Sequence, residues 1–177
     1  SMRHAISKLA HVHLVATEAS RERLLRMGEE ASRIHVVGTP GLVELESMAT
    51  WTREDAARRF ELDPSERIAA VLFHPVVQDA ELAGTQCRAL LQAVRDEGLQ
   101  AICLLPNADT GNSRIRAEID RFCADAPGFR AVTHLARSDY VSLVATADLL
   151  IGNSSSGIIE AATFGTPVIN VGDRQQD

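Results

Sequence analysis

From residue 67 onward the chain alternates short, almost unbroken apolar runs with stretches in which apolar positions recur every three or four residues. The runs occupy 67–73, 100–105, 129–134, 148–151 and 167–171. A strand covered on one face alternates apolar and polar residues, whereas a strand covered on both faces reads as a continuous apolar run, so these five predict a parallel sheet between two helical layers. Between them, Cys87, Leu90, Leu91 and Val94 recur at helical spacing and stop at Gly98, and Ile115, Ile119, Phe122 and Cys123 do the same before Pro127-Gly128. Tyr140, Leu143, Val144 and Ala147 repeat the pattern after Ser138, which reads as an N-cap. The alternation is that of an α/β fold with a doubly wound parallel sheet and right-handed crossovers.

The first 50 residues read differently. They predict a strand at 11–16, a helix capped by Thr17 and reaching about Gly28, and a strand at 34–37, followed by Gly38, Pro40 and Gly41. Thr52 and Asp55 have the spacing of a capping box, which places a linker at 41–51 between a remnant at 1–40 and a domain at 52–177. A two-stranded β-α-β unit cannot cover both its sheet faces, so the pattern predicts exposed apolar surface there and a partner: either the rest of an N-terminal domain or another copy in a homo-oligomer. The expectation is therefore a piece of a longer protein.

With 177 residues, 45% of them hydrophobic, the chain can bury a substantial core. A formal charge of −6 without runs of like charge argues against nucleic acid or an anionic membrane as partner, while leaving room for a small anion held by local groups. No apolar stretch approaches the roughly 20 residues of a membrane span, so a soluble cytoplasmic protein is expected. Cys87, Cys103 and Cys123 lack Cys-x-x-Cys spacing and fall on apolar faces, which predicts reduced core residues. Asn153-Ser154-Ser155 matches a glycosylation sequon, read as accidental. The histidines show no ligand-like grouping beyond His11-x-His13, and no metal or other cofactor is expected.

Open parallel sheets bind ligands beyond the carboxyl ends of their strands, so the residues following each run carry the candidate chemistry. After the first run, Pro75 stops the strand and leaves His74 at the sheet edge, where an imidazole can donate to a phosphate, transfer a proton, or serve only as a cap. After the second, Asn107 and Asp109 offer an amide and a carboxylate, or an Asx-type turn. After the third, the backbone of His134 and Leu135 can pair with the edge of a planar base. The fourth is the most specific: Gly152-Asn153-Ser154-Ser155-Ser156-Gly157 runs from strand into helix, offering hydroxyls and N–H groups to a diphosphate. Glu160, four residues beyond Ser156, can accept from the hydroxyls of a ribose, or simply favour the helix dipole. Arg174, after the last run, has the fork geometry that suits phosphate. His74, Asn107, Ser154 and Arg174 are expected along one sheet edge.

Asn-Ser-Ser-Ser-Gly-x-x-Glu at 153–160, followed by Phe-Gly-Thr-Pro-Val-Ile-Asn-x-Gly-x-Arg-Gln at 164–175, resembles the UDP-N-acetylglucosamine 2-epimerases. His-Pro-Val at 74–76, Pro-Asn-x-Asp at 106–109, Phe-Arg-Ala-Val-x-His at 129–134 and Ile-Ser-Lys near the start extend the resemblance over nearly the whole chain. The Asn-Ser-Ser and His-Pro-Val forms are similar to the hydrolysing branch. The resemblance implies a GT-B-like pair of Rossmann-like domains enclosing a UDP-sugar, of which this chain supplies the C-terminal, UDP-binding one, truncated at its end. It implies His74 as a catalytic and diphosphate-contacting residue, with Asn107 nearby and the His134-Leu135 backbone at uracil. Ser154, Ser155 and Arg174 then meet phosphate, and Glu160 meets ribose. The acids that act on the sugar ring belong to the N-terminal domain in that family, so the chain alone is expected to be inactive. The implied product, N-acetylmannosamine, links the parent to sialic acid biosynthesis.

Two other classes fit parts of the pattern: a GT-B-type glycosyltransferase passing the sugar to an acceptor, and a nucleotide-sugar-binding module without turnover. A P-loop nucleotidase is disfavoured, because Gly-Lys-Ser/Thr is absent and Lys8 is the only lysine.

Overall fold

The computed structural model describes residues 2–107 and 109–175, with only the backbone of Val77. The chain forms two compact units that divide between Val43 and Glu44.

The first unit holds α1 (Met2–Leu9), β1 (His13–Val15), α2 (Glu18–Arg26) and β2 (Ile34–Val36), and its two strands pair in parallel. The Thr17 hydroxyl accepts from the Ser20 N–H and caps α2 as its position suggests. The helix α1 lies outside the sequence reading, although Met2, Ala5, Ile6 and Leu9 fall on one of its faces; none of its residues is buried, so that apolar face is exposed. His13 is a structural residue. Its ring lies 3.2 Å from Glu29, which also pairs with Lys8 at 2.9 Å. The Lys8 ammonium holds the Glu29 carboxyl below its usual value, so the cluster ties α1, β1 and the chain after α2 together. Leu14 and Val36 are exposed on the small sheet, as two strands with too little to cover them require.

The second unit begins with α3 (Leu45–Met48) and α4 (Arg53–Arg59). Thr52 and Asp55 form the full capping box at the start of α4. Residues 44–51, assigned to a linker by sequence, instead pack within this unit: Leu45 is buried, and Ser142 accepts from the Thr50 N–H at 2.9 Å. The Rossmann-like core follows as β3 (Ile68–Leu72), α5 (Ala83–Asp96), β4 (Gln100–Leu104), α6 (Asn112–Asp125), β5 (Phe129–Val132), α7 (Arg137–Thr146) and β6 (Leu149–Gly152), then the short α8 (Ser156–Ile159) and α9 (Ala161–Phe164), and β7 (Val168–Asn170). The five strands lie in the order β5-β4-β3-β6-β7, all parallel.

The apolar runs have the cause that double coverage predicts. Along β3, Ala69 and Val71, with Phe73 beyond, join the core under α5 and α6, whereas Ile68, Ala70 and Leu72 join the core under α4 and α7. In β4, Ala101 and Cys103 face one core and Ile102 the other. Cys87 and Cys103 are buried and Cys123 is partly buried, all three as free thiols. No helix of the described residues is long and apolar enough to cross a membrane.

Several strands are a residue or two shorter than their apolar runs, and three of the differences from expectation have a clear cause. The run at 129–134 makes a strand only to Val132, because β5 is an edge strand whose last rung is the Leu105 N–H to the Val132 carbonyl. His134 and Leu135 therefore lie in the loop after the strand. Helix α7 starts after Ala136 rather than Ser138, with no side-chain cap. Asp148 is not part of β6; its carboxylate accepts from the Ile68 N–H at 2.8 Å and from Arg53 at 2.9 Å, anchoring the start of β3.

Candidate functional site

Because β4 and β5 lie on one side of β3 while β6 and β7 lie on the other, the chain reverses its winding between β3 and β6. That reversal opens a crevice beyond their carboxyl ends, the place where doubly wound sheets receive ligands. His74 follows β3 and the serine loop follows β6.

Gly152 directs the loop. Its φ is 146°, and a Cβ there would lie 2.0 Å from the Leu72 carbonyl oxygen, so only glycine lets β6 end this close to β3. The Asn153 N–H then donates to that same carbonyl at 3.1 Å. Beyond this rung the Asn153 side chain takes over: its Oδ1 accepts from the His74 N–H at 2.7 Å and its Nδ2 donates to the His74 carbonyl at 2.8 Å. The Asn153 carbonyl in turn accepts from Arg174 Nη1 at 2.9 Å and Gln175 Nε2 at 3.0 Å. The Asn107 N–H approaches His74 Nδ1 at 3.5 Å, and the Asn107 side chain forms a local turn with Asp109. Asn107 is thus both the turn residue and a neighbour of the imidazole. A cleft of about 410 Å³ opens here, bordered by Pro75 and Arg174 but also by Asp79, Asp109 and Asp173, so its charge is mixed.

A second group gathers on the α7 side. The N–H groups of Ser154 and Ser155 have no partner among the described residues, while Ser154 Oγ accepts from the Ser156 N–H at 3.3 Å. Ser155 is exposed and makes no side-chain cap. The expected helix is two short turns, α8 and α9, with Glu160 at their junction. Glu160 pairs with Arg137 at 3.0 Å, and Tyr140 meets Ser156 through their hydroxyls. Burial pushes the Tyr140 phenol up to about 12, so it stays protonated and fixes α7 against the loop. His134 and Leu135 lie two strands away from β3, beyond the end of β5. Neither makes a backbone hydrogen bond within the described residues. Arg137, two residues on from Leu135, links that loop to Glu160.

The structure thus brings His74, Asn107 and Arg174 together, sets Ser154, Ser155 and Glu160 beside them, and joins the two groups through Asn153. Asn153, Arg137, Tyr140 and Gln175 were not singled out by sequence. Their partners are too distant along the chain for any local pattern to signal.

Burial holds the His74 imidazole below its ordinary value of 6.5, with the Arg174 cation adding to the effect and Asp109 opposing it. The ring is therefore neutral at pH 7, able to donate from one nitrogen and accept at the other. The unfolded chain takes up its proton first as pH falls through the ordinary value, so this group's contribution to stability is full above that value and is lost below it. Urea midpoints of wild type and His74→Gln at pH 7.5 and 5.5 check this: the wild type should lose more stability on acidification.

A family model described as UDP-N-acetylglucosamine 2-epimerase matches residues 1–177. The chain is 47% identical over 174 residues to the UDP-N,N'-diacetylbacillosamine 2-epimerase (hydrolyzing) of Legionella pneumophila, covering 98% of this chain and 46% of that protein. It is 36% identical over 177 residues to the UDP-N-acetylglucosamine 2-epimerase of Neisseria meningitidis serogroup B, covering 100% of this chain and 46% of that protein. The crystal structure of a Neisseria meningitidis UDP-GlcNAc 2-epimerase bound to UDP-GlcNAc superposes with a TM-score of 0.75 at 16% identity, over 94% of this chain and 46% of that one. The glycosyltransferase WaaG shares the fold less closely, with a TM-score of 0.56 at 12% identity over 89% of this chain and 43% of that one. The chain thus spans about half the length of the curated relatives it matches. On the match of the whole chain to the family model, it belongs to the UDP-N-acetylglucosamine 2-epimerase family.

Proposed function

We propose that this chain is the UDP-binding part of a hydrolysing UDP-N-acetylglucosamine 2-epimerase, with the second unit, from Glu44 on, as its C-terminal domain and the first unit as a portion of an N-terminal one. The observation that carries the reading is the convergence of His74, the serine loop and Arg174 at the switch point between β3 and β6. In this reading the diphosphate meets Arg174, the hydroxyls and free N–H groups of Ser154 and Ser155, and His74 with Asn107 beside it. Glu160, held by Arg137, accepts from the ribose, and the unpaired backbone at His134 and Leu135 meets the uracil edge.

The reaction breaks the C1–O bond to UDP as the C2 proton leaves, giving UDP and a glycal; water then adds hydroxyl at C1 and hydrogen at C2 from the other face, releasing the 2-epimeric free sugar. Negative charge develops on the departing β-phosphate, where the guanidinium and N–H donors act. The neutral imidazole of His74 supplies a further N–H donor or relays a proton. The sugar is N-acetylglucosamine or a diacetamido relative, both named among the similar proteins, one of which is an Escherichia coli polysialic acid biosynthesis protein, 29% identical over 177 residues. We place the parent enzyme in the cytoplasm, as a homo-oligomer.

The chain by itself is expected to bind UDP and turn nothing over. A few charge-assisted hydrogen bonds at roughly 1.5 to 3 kcal/mol each, set against the losses of association, give a dissociation constant on the order of 0.1–1 mM. Calorimetry with UDP, beside turnover assays with both sugar nucleotides, checks this. Absence of UDP heat at millimolar ligand in a folded sample would overturn the reading. For the parent enzyme, deuterium at C2 of the product in heavy water and UDP free of label in oxygen-18 water are expected; an acceptor-dependent product would make it a glycosyltransferase.

A further inference from the structure

The β3–β6 ladder ends at the pair Leu72 and Gly152, and beyond it a side chain takes the place of backbone in linking the two strand ends. Asn153 is 2% exposed, and its side-chain amide presents one acceptor to the His74 N–H and one donor to the His74 carbonyl, at 2.7 and 2.8 Å. Its main-chain carbonyl holds Arg174 and Gln175 at 2.9 and 3.0 Å. We infer that Asn153 is a positioning residue for the phosphate site, a link from the backbone of His74 to the guanidinium of Arg174 that holds the two at a fixed distance across the switch point. The inference rests on the proposed UDP site for its functional meaning, while its geometry stands apart from it.

The side-chain chemistry explains why asparagine is needed. A carboxylate offers acceptors only and leaves the His74 carbonyl, part-buried, without a donor. A single hydroxyl cannot meet the N–H and the carbonyl of one residue at the spacing that the two ends of an amide provide. Once Asn153 is gripped at its side chain by His74, its carbonyl direction is fixed, and with it the end of Arg174. One N–H of the guanidinium is used in this way, and the other donors stay available to a ligand.

Imidazole NMR titrations on the 177-residue chain, with His74 assigned by its loss in His74→Gln, test the geometry. Removing the cation in Arg174→Ala should raise the His74 midpoint. In an Asn153→Ala background the same removal should move it by less than half as much, because the two groups are no longer held together. An equal shift in both backgrounds would overturn the inference, and a general loss of stability would not imitate the expected result. UDP titrations run alongside: Asn153→Ala should weaken binding about 10-fold, and unchanged affinity would also overturn it. If Asn153→Ala does not fold, Asn153→Asp, which keeps the acceptor and lacks the donor, carries the same comparison. A wild type that shows the coupling but binds no UDP would sink the proposed site and leave the positioning role standing.

Discussion

Gly152→Ala is expected to lose most of the stability of the second unit, and UDP binding with it. The added Cβ would lie 2.0 Å from the oxygen and 2.5 Å from the carbon of the Leu72 carbonyl, both backbone atoms of the central strand. No rotamer relieves a backbone clash, so β6 must slide away from β3, breaking the Asn153 bonds to Leu72 and His74. Losses of this kind fall at the upper end for single substitutions, about 4 kcal/mol or more against a typical total of roughly 5 to 15. Gly165 is the matched control. It also has positive φ, at 66°, but a Cβ there meets nothing within 4 Å. Gly165→Ala should therefore cost only the conformational strain of about 1–2 kcal/mol. Urea titrations of both variants decide the matter, and equal midpoints would show that the close approach at Gly152 does not constrain the fold.

Arg174→Ala is expected to lower UDP affinity by about 10- to 100-fold, the range that one or two charge-assisted hydrogen bonds to phosphate supply. Uridine, which lacks the diphosphate, should be affected far less. Glu160→Gln should show the opposite preference, weakening uridine and UDP alike, since its proposed contact is to the ribose. Calorimetry with both ligands on both variants makes the comparison. A parallel loss of UDP and uridine affinity in Arg174→Ala would mean that the arginine acts by organising the loop through Asn153 rather than by meeting phosphate.

The sheet was legible in the sequence because its central strands are covered on both faces, so that Ile68 to Phe73 has no polar residue to interrupt the run. The capping box at Thr52 and the cap at Thr17 were legible because they are local, each closed within three residues. The overshoot at His134 has the reverse cause. Thr133 and His134 suit a strand by themselves, but an edge strand ends where its one neighbour stops pairing, which depends on β4. The site shows the same division. His74, Ser154 and Arg174 were singled out because they follow strand ends, and Glu160 by its spacing from Ser156, whereas Asn153 acts on a residue 79 positions away and Arg137 on one 23 positions away. In sequence Asn153 reads as a turn residue or a sequon; only the topology brings its amide to the His74 backbone.

The burial of that amide bears on how the protein can be produced. Asn153-Ser154-Ser155 is a complete acceptor for N-linked glycan, and the atom that would carry the sugar is Nδ2, the one that donates to the His74 carbonyl. In a eukaryotic secretory host the glycan is added while the chain is still unfolded, before that nitrogen has found its partner. A modified chain would then have to house an oligosaccharide where a residue 2% exposed should sit. Secreted expression therefore selects for misfolded or unglycosylated molecules, and a bacterial cytosol avoids the conflict.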